Sequence, residues 1–133
     1  METLSKEHVR RVVNTLWTQL ITTTSPDVIG SWGVSGLWAT QIVKNINGYD
    51  LAMAALMMSV EGFSFQGQVY VALDEGSDYY RIYIKDGEEL KEQHIDVAFE
   101  ELGQILDSVI ETGGMSEEQY QERIVQEYNV RVV

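Results

Sequence analysis

Alternation of apolar and polar side chains is strongest between Phe63 and Lys85, and it predicts two paired β-strands. Phe63, Phe65, Gly67, Val69, Val71 and Leu73 alternate with Ser64, Gln66, Gln68, Tyr70 and Ala72. After the turn formers Asp74-Glu75-Gly76-Ser77, Tyr80, Ile82 and Ile84 alternate with Tyr79, Arg81, Tyr83 and Lys85. A four-residue loop would set Val71 opposite Tyr80, Val69 opposite Ile82 and Gly67 opposite Ile84 on a core face. Tyr70 would then meet Arg81, and Gln68 would meet Tyr83, on the other face.

The period changes on either side of this hairpin. Val9, Val12, Val13, Leu16, Trp17, Leu20 and Ile21 recur at helical spacing over residues 6–21, with Ser5 as N-cap and Ser25-Pro26 beyond the end. From Ile29 onward the pattern predicts a long strand, interrupted early by Gly30, Gly33 and Gly36. Asn47-Gly48 is a primed-turn dipeptide. It directs residues 51–60 into a second strand, with Leu37 and Ala39 facing Met58 and Leu56, Trp38 facing Met57 and Ile42 facing Met53. A two-residue turn at Glu61-Gly62 would place Ala54 against Val69, Leu56 against Gly67 and Met58 against Phe65. Asp86-Gly87 leads into a short charged edge strand at Leu90 to His94. A helix is expected from Asp96 as N-cap to Glu111, with Phe99, Leu102, Ile105, Leu106, Val109 and Ile110 buried and Gly113-Gly114 ending it. Ser116-Glu117-Glu118-Gln119 is a capping box for a last helix carrying Tyr120, Ile124 and Tyr128, and Val130 to Val133 reads as strand. The fold class is α+β: an N-terminal helix, a four- to five-stranded antiparallel meander sheet and two C-terminal helices, in one domain over residues 1–133.

Composition narrows the function classes. The 133 residues contain no cysteine, which removes disulfides, thiolate metal sites and cysteine nucleophiles. The charged start Met-Glu-Thr-Leu-Ser-Lys-Glu-His lacks a signal-peptide core, and the apolar run Leu51 to Met58 is too short to span a bilayer, so a soluble cytoplasmic protein is expected. The net charge of −12 is concentrated between Asp74 and Glu127, where sixteen acids face four basic residues. Such a surface disfavours direct binding to nucleic acid or anionic membranes and attracts basic partners.

Ser31-Trp32-Gly33, Val71-Ala72-Leu73-Asp74-Glu75-Gly76, Glu101-Leu102-Gly103 and Ser116-Glu117-Glu118-Gln119-Tyr120 together resemble a group of small hypothetical bacterial proteins found among mobile-element genes. The resemblance spans roughly residues 30–128. It implies no activity and transfers no functional residue.

No reaction is written in the residues. His8 and His94 lack partners at metal-ligand spacing, and a His94/Asp96 base is outweighed by a solvated edge histidine. Asp74-Glu75-Gly76-Ser77-Asp78 fails the calcium-loop pattern, which needs acids or amides where Gly76 and Lys85 stand. Gly30, Gly33 and Gly36 lack phosphate-loop spacing. No catalytic, metal or cofactor residue is assigned.

The richer constellation is the sheet face away from the predicted core: Trp38, Met53, Met57, Gln68, Tyr70, Tyr79, Arg81, Tyr83 and Lys85. Left open, it would expose apolar and aromatic area of the kind enriched at interfaces. A helix or the tail laid over it would make it ordinary core. The leading expectation is a non-enzymatic interaction module, with a protein partner or a second copy on this face. The alternatives are an acidic nucleic-acid mimic that occupies a basic DNA-binding protein, and a small-molecule site or enzyme between sheet and helix using Gln68, Arg81 and Tyr83.

Overall fold

The computed structural model describes residues 3–127. The chain is α+β, with an N-terminal helix, five antiparallel strands in one sheet and C-terminal helices. Helix α1 (Lys6–Thr23) is capped by the Ser5 hydroxyl, which accepts from the His8 amide. Five strands follow in a meander, each beside its sequence neighbour: β1 (Gly36–Ile46), β2 (Tyr49–Glu61), β3 (Gln66–Asp74), β4 (Tyr79–Asp86) and β5 (Glu89–Val97). Helix α3 (Phe99–Asp107) continues into a π-helical turn, Ser108–Thr112, which ends at left-handed Gly113.

Between α1 and β1 lies a short helix, α2 (Pro26–Ser31), where a turn and, from Ile29, the start of a strand were expected. Ser25 accepts from the Val28 amide and Pro26 takes the first helical position, so this dipeptide starts a helix as well as closing one. Its C-cap Trp32 is wholly buried rather than strand-borne. The Trp32 Nε1 donates to Asp107 Oδ1 at 2.9 Å, and its carbonyl accepts from the Glu61 amide at 2.9 Å. One residue thus ties α2 to α3 and to the end of β2.

The core lies between the helices and one sheet face. Val9, Val13, Leu16 and Leu20 of α1 and Leu102 and Leu106 of α3, with Ile110 of the π turn, meet Leu56, Met58, Val69, Val71, Tyr80 and Ile82. Each large aliphatic side chain buried this way contributes about 1.5–3 kcal/mol.

The first hairpin has the expected register: Ala39 faces Leu56, Leu37 faces Met58, Trp38 faces Met57 and Ile42 faces Met53. The Asn47-Gly48 loop, at φ 54° and 86°, sets it. The next two registers differ by even numbers of residues, which preserves the faces while changing the partners. Met58 faces Val69 and Leu56 faces Val71, because the connection is the four residues 62–65 and strand β3 starts at Gln66 rather than Phe63. Val71 faces Ile82, Val69 faces Ile84 and Leu73 faces Tyr80, because Asp74 closes the ladder against Tyr79. The Asp74 side chain accepts from the Gly76 amide at 3.0 Å and its carbonyl from the Asp78 amide at 2.8 Å, moving the loop one residue onward.

Two further boundaries move. Strand β5 continues through Asp96 to Val97, so the helix begins later, with Ala98 at the cap position and Phe99 exposed rather than in the buried stripe. Ser116 and Gln119 form the expected capping box of α4 (Glu117–Glu127), at 3.1 and 3.2 Å. Tyr128 and the strand expected at Val130 to Val133 lie outside the described residues. No helix among the described residues is long and apolar enough to cross a membrane.

The 62–65 loop is bolted to the end of the π turn. The Ile110 carbonyl accepts from the Ser64 and Phe65 amides at 2.9 and 3.0 Å, which satisfies a helix-end acceptor. The buried Glu111 carboxylate accepts from the Phe63 amide at 2.8 Å and from the Tyr120 hydroxyl. A Cβ on Gly62 would stand 2.2 Å from the Ile110 oxygen, whereas a Cβ on Gly30 meets nothing within 4 Å. Gly62→Ala is therefore expected to destabilise by about 2 kcal/mol or more, through displacement of this loop. Gly30→Ala is expected to stabilise by about 0.5 kcal/mol, as an ordinary helix-interior replacement. Chemical denaturation of the two variants checks the pair, and equal effects would refute this account of the loop.

Candidate functional site

The nine residues expected on the second sheet face share that face, but the face is not open. Met53, Tyr70 and Tyr83 are buried, at 1%, 8% and 1% exposure, in a second cluster with Ile42, Ala55 and Ala72. Among the described residues no helix contributes to this cluster. The β1–β2 hairpin is longer than the strands beside it, and the pairing of β2 with β3 begins only at Ala55. Its distal arm, roughly residues 42–53, bends across the sheet so that Ile46 and Leu51 pack against this cluster, as does Leu90 of β5. The Lys44 ammonium bonds the Leu90 carbonyl of β5 at 2.8 Å and stands 5.5 Å from the centre of the Tyr83 ring. Ala55 and Ala72, small and fully buried, let the arm lie close.

The polar members of the face are likewise engaged. Arg81 stands opposite Ala72 rather than Tyr70, and its guanidinium bridges Asp74 at 3.3 Å and Glu92 at 3.1 Å. Tyr70 instead lies between Met57 and Tyr83, with its hydroxyl donating to Gln68 at 3.3 Å. The Tyr83 hydroxyl is sealed from solvent without a hydrogen bond of good geometry. Tyr79 is exposed at the hairpin end and Lys85 is exposed near the β4–β5 turn. Of the nine, the large apolar and aromatic side chains left about half in solvent are Trp38, at 49%, and Tyr79, at 45%, and Trp38 is the one on an edge strand.

The other candidate chemistry disperses. His94 lines a concavity of about 500 Å³ with Ser64, Ser108 and Gly113, with no hydrogen bond to Asp96. His8 pairs with Glu75 at 2.9 Å. Among the described residues, no group of three or more His, Asp or Glu is placed to hold a metal ion. Asp107 and Glu111, two of the carboxylates in the acidic half, bond inward to Trp32 and to the 62–65 loop.

Among the described residues, what is left open is an edge. Strands β1 and β5 terminate the sheet, and they differ in kind. Strand β5 carries Glu89, Lys91, Glu92, His94 and Asp96, with register irregularities opposite Ile82 and a positive φ at Asp96, features that obstruct pairing. Strand β1 has no charge from Gly36 to Val43, no proline and an unbroken register. In the first half of β1, Leu37 and Ala39 are exposed although their register puts them on the core face.

Hairpin geometry fixes which backbone groups face outward. Ile46 and Tyr49 flank a two-residue primed loop and so exchange both of their hydrogen bonds. Every second residue back along β1, namely Lys44, Ile42, Thr40 and Trp38, turns its backbone groups toward β2. Leu37, Ala39, Gln41 and Val43 turn theirs toward the open edge. Beside that edge, α1 and β1 enclose a concavity of about 390 Å³ lined by Leu4, Lys6, Val9, Arg10, Ala39 and Gln41. The Leu4 amide donates to Gln41 Oε1 at 2.6 Å and closes one end.

The sequence reading named the aromatic residues of this surface and missed its edge. The usable signal was the uncharged run Gly36 to Val43 in a chain that is 23% charged. Comparison with family models, with curated proteins and with solved structures finds no match, so function is read from this geometry alone.

The buried phenols give the second cluster a pH signature. Burial pushes Tyr83 above the ordinary value of 10.0, against the pull of the Arg81 charge, and burial with the Asp78 charge pushes Tyr80 the same way. Above pH 10 the unfolded chain releases these protons before the folded one does, so these two groups leave stability unchanged up to about pH 10 and lower it beyond. Melting temperatures between pH 9 and 11 are expected to drop, and Tyr83→Phe should make the drop shallower. An unchanged slope in Tyr83→Phe would mean that the phenol is not buried as described.

Proposed function

We propose that this protein is a non-enzymatic interaction module that takes up an extended segment of another polypeptide on the open edge of β1. Strand addition supplies affinity through main-chain hydrogen bonds, and side chains on alternate sides supply selectivity. The carrying observation is the contrast between the two edges. The same sheet that guards β5 with five titratable side chains and a distorted register leaves β1 regular in register and uncharged over eight residues.

Exposed Trp38 and Leu37 flank that edge on opposite faces of the sheet, where they would clasp an added strand. Tryptophan is among the residues that most often anchor interfaces. The aromatic face expected to serve this role contributes Trp38, while Tyr70 and Tyr83 are buried in the cluster against which the arm packs.

Amide hydrogen exchange tests the reading. In the dilute protein, Trp38, Thr40 and Ile42 amides should exchange slowly and those of Leu37 and Ala39 rapidly. Slow exchange at both sets in the dilute monomer would show the edge already covered and overturn it. Ala39→Pro removes only an outward donor, so it should fold with a stability change of about 0.5 kcal/mol or less. That variant should lose every strand-type ligand.

A further inference from the structure

The concavity between α1 and the β1 edge carries information about what is taken up. Lys6 and Arg10 stand one helical turn apart and line it together, and neither makes an ion pair among the described residues. Among the described lysines and arginines only Arg81 and Lys91 are ion-paired, and what sets Lys6 and Arg10 apart is that two such cations share one cavity with no carboxylate in its lining. Like charges four residues apart on a helix repel, and Lys6 also sits in the first turn of α1, where the helix dipole already disfavours a cation. Both costs fall when an anion enters between them.

The position of the cavity says how an anion would arrive. A strand added to the edge at Leu37, Ala39 and Gln41 places alternate side chains on the helix side of the sheet, which is the side on which Lys6, Val9 and Arg10 lie. We propose that the cavity receives an aspartate or glutamate side chain of the added segment, so that the protein selects extended acidic peptides. This rests on the reading of β1 as the docking strand. A second copy of this chain is a poor fit, because its own β1 carries no carboxylate from Gly36 to Ile46 and offers Lys6 and Arg10 no partner.

Selection of a random octapeptide library on the full chain tests the proposal, with the library carboxyl terminus amidated so that only side-chain acids can respond. The expected result is enrichment of alternating, β-prone sequences with Asp or Glu at one fixed position. Replacing that acid by its amide in a selected peptide should weaken binding about tenfold. In K6E/R10E the preference should reverse to Lys or Arg. Binding lost in Ala39→Pro but indifferent to K6E/R10E would leave the docking edge standing and refute the acidic pocket. Binding that survives Ala39→Pro would refute the docking edge itself. Absence of enrichment over bare support, or a concentration-dependent dimer abolished by Ala39→Pro, overturns the acidic-peptide proposal.

Discussion

The structure depends on the bend of the β1–β2 arm across the sheet. A five-stranded sheet has two faces to dispose of, and the described helices α1 and α3 pack on one of them. Leaving Met53, Tyr70 and Tyr83 in water would expose several large apolar surfaces, each costing about 1.5–3 kcal/mol relative to burial. The chain solves this with strand length, since 11- and 13-residue strands beside strands of 9 and 8 leave an arm free to fold over. The Lys44 ammonium then latches the arm to the far side of the sheet through the Leu90 carbonyl. Burial of the second face follows from this closure.

Closure also decides what remains for recognition. A sheet whose second face is filled by its own hairpin cannot offer that face to a partner without opening the latch. The part of this sheet left for recognition is the rim, where Leu37 and Trp38 of β1 are exposed and α1 runs beside it. The guarded state of β5 makes the bare state of β1 informative, because the same chain shows both conditions in strands of similar length.

Much of this was legible in the sequence, in proportion to how local its cause is. Asn47-Gly48 fixed its hairpin because both residues accept positive φ and nothing distant competes. Ser5, Ser116 with Gln119, and Gly113 marked helix ends for equally local reasons. The β2–β3 register was not legible, because the loop length at Gly62 is set by the Ile110 carbonyl, 48 residues away. The β3–β4 register turned on whether Asp74 joins the loop or closes the ladder, a choice made by its side chain's bond to the Gly76 amide. Pro26 was ambiguous in principle, since proline both ends one helix and begins the next. The covering of the aromatic face escaped because periodicity assigns side chains to faces and says nothing about how a sheet curls.

Gly36 gives the edge a last constraint. A Cβ there would stand 2.2 Å from the Trp38 ring, so the indole occupies the space that glycine leaves empty. The ring can therefore lie over its own strand, a position that any side chain at 36 would deny it. The two positions form a single unit of inheritance. Among sequences sharing this edge, a side chain at 36 belongs with a smaller residue at 38, and a lone change at either position breaks a pair that neither residue type alone would betray.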